Sequence, residues 1–254
     1  MPRVSFRLVL AAASGLLVLT TTLAILTVAL GASRRTAFEL LNEQAELAID
    51  AVEEGVRERL GTASNLVDGL ATTQSAAILG AGDPARNLPI LQSALSVVPS
   101  VDAVILWNAD MAATAVAKAE DGTSRIIRLG NVSDPRARMM LSRVPDDDIA
   151  HWSDPVMHED KSYLQVLRRF RADGHRGYIG AVIALPSLSR DVERIGQRFG
   201  GTAFILFGDD QVIAHPSLID GKTFYPGGMP TIRQVDDPAL TMIAGAPTAR
   251  FAVG

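Results

Sequence analysis

The sequence predicts an α+β protein, in which an apolar N-terminal helix and a long second helical stretch precede a small antiparallel sheet. Three observations support this prediction. An uncharged run of 25 residues extends from Leu8 to Ala32. Apolar residues then recur with helical spacing over residues 36–79. From Val101 onwards the pattern changes to short apolar runs separated by turn residues, which is typical of strands.

The composition excludes several classes of protein. The 254 residues include 24 Lys+Arg and 28 Asp+Glu, a net charge of −4, which leaves no basic surface of the kind that nucleic acid requires. The absence of Cys excludes disulfide scaffolds, Cys-ligated zinc, iron–sulfur clusters and thiol nucleophiles. A hydrophobic share of 48% excludes wholesale disorder, and the length allows one or two domains.

The uncharged run over residues 8–32 predicts a transmembrane helix. At about 1.5 Å per residue it is longer than the ~30 Å hydrocarbon core. Two arginines precede it and two follow it, so the flanking charge decides the orientation only weakly. The alternative is a cleaved signal peptide, whose apolar region usually spans only ~7–15 residues. In either case we expect the rest of the chain to be periplasmic, held at the bacterial inner membrane by a single span.

Residues 36–79 contain no Pro and predict one long helix. Its apolar residues follow steps of three and four: Leu41, Ala45, Ala48, Val52, Val56, Leu60, Ala63, Val67 and Leu70. A stripe this narrow favours a two-helix seam, and therefore a homodimer through residues 36–79. The alternative is a helix that packs on its own domain. The breaker residues of Gly80–Pro84 predict the end of the helix.

Short helices and strands are predicted in the remaining sequence. The helices are expected over residues 88–97, 134–143 and 186–199, and the strands over residues 101–107, 113–117, 125–129, 152–156, 162–170, 178–185, 202–207 and 212–215. After His215 the density of Pro and Gly rises, and residues 250–254 resemble the opening of another strand. We therefore expect the chain to be the front part of a longer protein.

An anchor, a long juxtamembrane helix and a PAS-like sheet resemble the periplasmic Cache sensors of bacterial signalling proteins. The resemblance lies in Trp152–Pro186, with its Gly177-Tyr-Ile-Gly180 motif, and in the Gly201–Pro216 stretch that ends in His-Pro. The second stretch, together with Asp237-Pro-Ala-Leu240, is most similar to sensors that precede class III adenylate/guanylate cyclases. The resemblance implies a ligand-sensing input region. The alternatives are the sensor of a histidine kinase, a diguanylate cyclase or a chemoreceptor, or a stand-alone membrane-tethered binding protein.

The resemblance also implies a division of the chain into five parts. Residues 1–7 would be a cytoplasmic N-terminus, residues 8–32 the transmembrane helix, and residues 33–80 a signalling and dimerisation helix. Residues 81–200 would be the PAS-like Cache domain. Residues 201–254 would begin a smaller membrane-proximal unit that the sequence cuts short.

A ligand pocket on the sheet is implied by the same resemblance, with five candidate residues: Trp152, Tyr163, Gln165, Arg168 and Tyr178. Arg168 suits a carboxylate and the aromatic rings suit an amine or an apolar body, so both ligand classes stay open. Strand alternation places Tyr163 and Gln165 on one side of the sheet and Arg168 on the other, unless a bulge intervenes. Asp134 and Asp154 are weaker candidates.

We expect no catalytic residue, metal or cofactor in these residues. The stretch His151–Asp160 gathers two histidines and three carboxylates, but a solvated loop is favoured over a metal site because no helical spacing aligns them. His215 is interpreted as a structural corner residue. Catalytic Ser motifs and phosphate loops are absent from the sequence. Any output activity would lie beyond Gly254.

Overall fold

The computed structural model describes residues 6–72, 79, 84–119, 123–131, 135–158, 161–172, 174–220 and 229–245. The chain divides into two compact units, Met1–Asp50 and Ala51–Gly254. The first helix, α1, extends over Phe6–Leu70.

Residues 14–32 of α1, which belong to the first unit, are uncharged and exposed. By length and composition, α1 is the one helix of the described residues that could cross a membrane: its most apolar 18-residue window has a mean hydropathy of 2.1 and is unburied. Leu16, Ile25 and Val28 are between 64 and 73% exposed. The threonine hydroxyls bond within the helix, as Thr22 Oγ1 does to the Val18 carbonyl at 2.8 Å. These features fit the predicted span.

The helix α1 ends at Leu70, nine residues before the predicted end at residue 79. The Ala71 N–H still donates to the Val67 carbonyl at 2.9 Å, and the Thr72 hydroxyl donates to the Gly69 carbonyl at 2.8 Å. Gly and Thr are weak helix formers, which explains an end at this point. Residues 73–78 lie outside the described part. The next helix, α2, extends over Pro84–Val97 and begins four residues before its predicted start.

A seven-stranded antiparallel sheet organises the second unit. Its strands are β1 (Ala103–Trp107), β2 (Ala112–Lys118), β3 (Ser124–Asn131), β4 (His151–Trp152), β5 (Val156–His158), β6 (Lys161–Ala172) and β7 (His175–Ala184). The order across the sheet is β3-β2-β1-β7-β6-β4, and β5 also pairs with β6. The helix α3 (Pro135–Ser142) precedes β4, and α4 (Leu185–Phe199) follows β7.

The predicted strand over residues 152–156 is in fact two short strands, β4 and β5. The Ser153 N–H still donates to the Gln165 carbonyl at 2.9 Å, but Pro155 has no N–H to continue the ladder. The other predicted strands and helices up to residue 199 agree with the observed ones to within a few residues.

The two faces of this sheet bury different apolar clusters. The α1 face packs Val104, Val166, Phe170, Ile179 and Ile183 against Ala63 and Val67 of α1 and Leu91 and Leu95 of α2. The α3 face packs Ile105, Trp107, Leu167 and Val182 against Leu141 of α3 and the following Val144. The sheet therefore separates a helix-packed side from a side covered by α3.

The two ends of the apolar stripe of α1 differ in their burial. Ala63 and Val67 are fully buried, and Val56 and Leu60 pack against the same core, so this part of the helix packs on its own domain. Towards the N-terminus Leu41 is 60% exposed. A dimer seam through the exposed part of the stripe stays a prediction.

Two glycines let neighbouring strands approach β7 closely. A Cβ on Gly177 would lie 2.3 Å from the Trp107 carbonyl oxygen and 2.8 Å from the Phe170 ring. A Cβ on Gly180 would lie 2.7 Å from a methyl carbon of Leu167. These contacts give the Gly177-Tyr-Ile-Gly180 motif a packing role.

A second, two-stranded sheet follows α4. It consists of β8 (Ile205–Phe207) and β9 (Gln211–Ala214), after which come a 3-10 turn, Pro216–Leu218, and the helix α5 (Pro238–Gly245). A small cluster of Val212, Ile232, Val235 and Leu240 holds these elements together. The sequence did not predict α5, although Asp237-Pro238 is a typical helix start. A domain boundary near residue 200 stays a prediction.

His215 joins the hairpin to α5. Its Nδ1 accepts the Ser217 N–H at 3.1 Å, and its Nε2 lies 3.2 Å from Asp237 Oδ2. Burial alone would raise the pKa of Asp237, but hydrogen bonds from the Ala239 N–H and from His215 outweigh it and lower the pKa. His215 is a corner residue, as its interpretation from sequence has it.

Candidate functional site

The alternation along β6 divides the five candidate residues between the two faces of the sheet. The pairing of β6 with β7 is continuous from Tyr163–Ala184 to Ala172–His175, so no bulge brings the two sets together. Tyr163 and Tyr178 pack on the cluster of the α3 face, and alternation places Gln165 there too. Arg168 lies on the α1 face, as does Trp152, which pairs with Val166.

The α3 face combines aromatic rings with a buried polar atom. Tyr163 and Tyr178 are half-buried against the cluster of Ile105 and Leu167. On the same face, the Oε1 atom of Gln165 is buried and has no hydrogen-bond partner within the described residues. A buried acceptor without a partner costs about 1–3 kcal/mol, so this atom marks a place where a donor is missing.

The segment after α3 is held to the sheet by ion pairs. Asp146 bonds to Arg171 of β6, and Asp148 lies 3.5 Å from Arg168. Asp147 Oδ1 accepts a hydrogen bond from Nε2 of the His151 ring at 2.7 Å. This hydrogen bond is the chief cause of the lowered pKa of Asp147. The segment thus lies beside β6 and places Val144 on the α3 face.

The histidines and carboxylates of the polar loop 151–160, for which a solvated loop is predicted, are only partly described. His151 is engaged with Asp147. The side chain of His158, and the residues Glu159, Asp160 and Asp134, lie outside the described part. Among the residues that the structure describes, no three His, Cys, Asp or Glu side chains are grouped as metal ligands would be.

Arg168 connects β6 to α1. Its Nη1 donates to Asp68 Oδ1 at 2.9 Å, and the side chain is 13% exposed. The second partner, Asp148, is fully exposed and more distant, at 3.5 Å. Two carboxylates therefore face this guanidinium, and its contact with a ligand stays a prediction.

Trp152 lines an open groove on the α1 face, with a volume of about 620 Å³. The indole is 37% exposed. The other lining residues are Val52, Glu53, Val56, Arg57, Leu60, Gly61 and Ser64 of α1, and Phe204, Ile205 and Leu206 at β8. Glu53 and Arg57 form an ion pair with each other, so most of the remaining wall is apolar.

Arg59 is a buried charged residue that the sequence did not reveal. It bonds to Asp191 of α4, donates to Ser187 Oγ at 2.7 Å and lies 3.5 Å from Asp102. Burial lowers the pKa of Arg59, and the nearby Asp102 opposes that effect. Asp102 also accepts the Ala184 N–H at 2.8 Å, just before the first turn of α4. The partners are far apart in sequence, so no local pattern signals them.

No family model matches the sequence, and a search of the curated proteins gives no match. Solved structures do share the fold. "Methyl-accepting Chemotaxis protein X" is 14% identical with a TM-score of 0.55, over 76% of this chain and 80% of that one. The extracellular domain of vpHK1S-Z8, described as a histidine kinase, is 15% identical with a TM-score of 0.54, over 72% and 69%.

A third similar structure is the ligand-binding domain of the Campylobacter jejuni chemoreceptor Tlp3 in complex with 4-methylisoleucine. It is 13% identical with a TM-score of 0.51, over 72% of this chain and 73% of that one. Identities this low establish the fold alone. They confirm the predicted fold class, a long helix and an antiparallel sheet of the kind found in extracellular sensor domains. A cyclase is not among these three proteins.

The ion pair of Arg168 predicts that substitutions of its two aspartate partners differ in their effect on the free energy of unfolding. Asp68→Asn removes the close carboxylate and leaves a largely buried guanidinium short of a partner, so we expect a loss of about 1–2 kcal/mol in the free energy of unfolding. Asp148→Asn is the matched control and should change it by less than about 0.5 kcal/mol. Thermal unfolding of the full chain in nanodiscs measures both. Equal losses would show that Asp68 does not anchor Arg168.

Proposed function

We propose that this chain is the extracytoplasmic ligand-sensing input region of a transmembrane signal-transduction protein. The observation that carries the proposal is the unpartnered, buried Oε1 of Gln165 on an aromatic-rimmed face of the sheet. Polar atoms inside a protein are nearly always paired, and an unpaired one calls for an explanation, which a ligand that donates a hydrogen bond would supply here. The shared fold with extracellular sensor domains supports the same reading.

In this proposal Tyr163 and Gln165 contact a small molecule on the α3 face. Gln165 Oε1 accepts a hydrogen bond from an N–H or O–H of the ligand, and the Tyr163 ring, two residues along β6, packs against its apolar body. Tyr178 pairs with Arg169, about 13 Å along the strand from Gln165, and is reached only by a longer ligand. The similar Tlp3 domain is described with 4-methylisoleucine and with L-norvaline, which are small molecules with such a donor. Trp152 and Arg168 lie on the opposite face of the sheet, the α1 face, and their contact with a ligand stays a prediction.

The route from ligand to membrane in this proposal is α1. Residues 8–32 span the inner membrane, and the bulk of the chain is periplasmic. The ion pairs of Arg168 with Asp68 and of Arg59 with Asp102 connect this helix to β6 and to the residue before β1, so a movement of the sheet is transmitted to the helix. If α1 has two arrangements, binding shifts the equilibrium between them only to the extent that the ligand binds one arrangement more tightly than the other.

The output that we propose is a class III adenylate/guanylate cyclase, on the resemblance of residues 201–216. The solved structures that share the fold come from chemoreceptors and from a protein described as a histidine kinase, so these outputs are the alternatives. Measuring the cyclic AMP and cyclic GMP that membranes of the source cells form from ATP and GTP, with and without the gene, tests this point. Unchanged formation of both nucleotides would contradict a cyclase output.

The ligand proposal predicts an unusual pair of effects for Gln165→Leu. Removing an unpartnered buried acceptor should leave the unliganded protein as stable or up to about 1–2 kcal/mol more stable. The same change should abolish the stabilisation that a ligand gives, which reaches about 2.7 kcal/mol at a hundred times its dissociation constant. The measurement is thermal unfolding of the full chain in nanodiscs, against a panel of aliphatic amino acids, amines and carboxylates.

Gln197→Leu, on the exposed side of α4, is the matched control and should keep the ligand response. If no compound of the panel stabilises the wild-type chain, or if Gln165→Leu responds like the wild type, the proposed site is wrong. A loss of stability without ligand in Gln165→Leu would indicate a structural role instead.

We also propose a homodimer through the exposed part of the α1 stripe. The chain has no Cys, so single cysteines report on contacts cleanly. The cysteine of Leu41→Cys is on the stripe, whereas the cysteine of Glu43→Cys is about 200° further around the helix axis. Oxidation in nanodiscs should give disulfide-linked dimers of the first variant and few of the second. Equal cross-linking of the two variants would contradict a seam on this stripe.

A further inference from the structure

We propose that Met111 and Met140 are a modification site for peroxides, at which oxidation of the thioethers to sulfoxides loosens the helix α3 from the sheet. The inference goes beyond the proposed ligand site, and its test needs no ligand. The chain has seven Met and no Cys, so any oxidation at sulfur takes place at a thioether. The structure describes the side chains of Met111, Met139, Met140, Met229 and Met242.

These five methionines differ in exposure and in what they pack against. Met139 is 53% exposed and Met242 is 74% exposed, and both lie outside the apolar clusters of the described residues. Met111 and Met140 are half-buried and pack against the cluster of the α3 face. Met229 is half-buried against the cluster of the α1 face. Met111 and Met140 are therefore within reach of a small oxidant and also in contact with apolar side chains of the α3 face.

Met111 and Met140 belong to two different elements that lie on the same cluster. Met111 ends the turn between β1 and β2, where its N–H donates to the Asn108 carbonyl at 3.0 Å. Met140 is in α3, next to Leu141, which is 1% exposed. Both methionines pack against the cluster that contains Trp107. The two thioethers thus help to hold a turn and a helix on one apolar surface.

The backbone of Met111 is a second, independent observation. Its φ is 61°, and among the described residues it is the one non-glycine residue with a positive φ. Glycine is usual at the left-handed position of a short hairpin turn, because a side chain there crowds the backbone. Such strain persists only where the surrounding structure enforces it, and it concentrates at functional positions. The packing of the Met111 side chain offsets the strain, so a weaker contact leaves the turn less stable.

Hydrogen peroxide converts a thioether to a sulfoxide by oxygen transfer. The sulfur lone pair attacks one peroxide oxygen, and the S–O bond forms as the O–O bond breaks. The proton on the transferred oxygen leaves with the departing hydroxide as water, so sulfur loses the two electrons that the peroxide gains. The sulfoxide is polar, and a polar group packed against apolar side chains without a hydrogen bond is unfavourable. Oxidation of Met111 and Met140 therefore weakens the contact of the turn and of α3 with the sheet.

The test is treatment of the full chain in nanodiscs with hydrogen peroxide, followed by peptide mass spectrometry and thermal unfolding. We expect sulfoxide first at Met139 and Met242, because they are the most exposed of the five, and then at Met111 and Met140. The Tm should stay unchanged in the first phase and fall by about 2–4 °C or more in the second. Methionine sulfoxide reductases for both epimers should restore the original Tm.

Leucine variants separate the two proposed residues from the other methionines. Leucine has a similar volume and no sulfur, so the packing is kept and the modification is removed. The double variant Met111→Leu/Met140→Leu should show no fall in Tm on treatment with peroxide. Met139→Leu, at the exposed neighbour of Met140 on the same helix, is the matched control and should show the full fall. If the double variant does not fold, each single variant should lose part of the fall.

Three results would overturn the assignment. In the first, peroxide modifies Met139 and Met242 but leaves Met111 and Met140 unmodified in the folded chain. In the second, Met111 and Met140 are converted without a fall in Tm. In the third, the double variant loses as much as the wild type, and removal of that loss by Met229→Leu would assign the effect to the α1 face. None of these measurements uses a ligand, so their failure is distinguishable from failure of the proposed sensor.

Discussion

The uninterrupted alternation of β6 is the constraint on which the rest of the second unit depends. Its twelve residues pair with β7 without a shift in register, so each step of one residue changes the face. Val166 and Phe170 therefore enter the core under α1, whereas Leu167 enters the cluster under α3. A slip of one residue would exchange these sets between the two faces. The strand thereby fixes which side chains lie on the α3 face and which can meet the helix.

The ion pairs on the α1 face give the contact of helix and sheet a definite register. Apolar contacts such as those of Ala63 and Val67 tolerate sliding, because they are not directional. The ion pair of Arg168 with Asp68 and the ion pairs of Arg59 are directional. If either is broken, a buried charge is left short of partners. These ion pairs therefore constrain where the helix can lie on the sheet.

Much of the fold could be predicted from the sequence, because period and turn chemistry are local properties. The division of Tyr163 and Gln165 from Arg168 also followed from alternation alone. The partners of the charged residues could not be predicted: Arg168 and Asp68 are 100 positions apart, and Arg59 and Asp191 are 132. Two adjacent arginines look equivalent in a sequence. Only the fold shows that one of them has a carboxylate at 2.9 Å, whereas the nearest carboxylate to the other in the described residues is at 3.8 Å.

Arg168 and Arg169 are neighbours that point to opposite sides of one backbone, with Cα atoms about 3.8 Å apart. Like charges at such a separation repel: two unit charges ~10 Å apart interact by about 1.7 kcal/mol at an effective dielectric constant of ~20. An anion placed on one side of the strand lowers the potential felt on the other. The sheet is therefore a thin dielectric layer, through which a change of charge on one face reaches the opposite face without any atom moving.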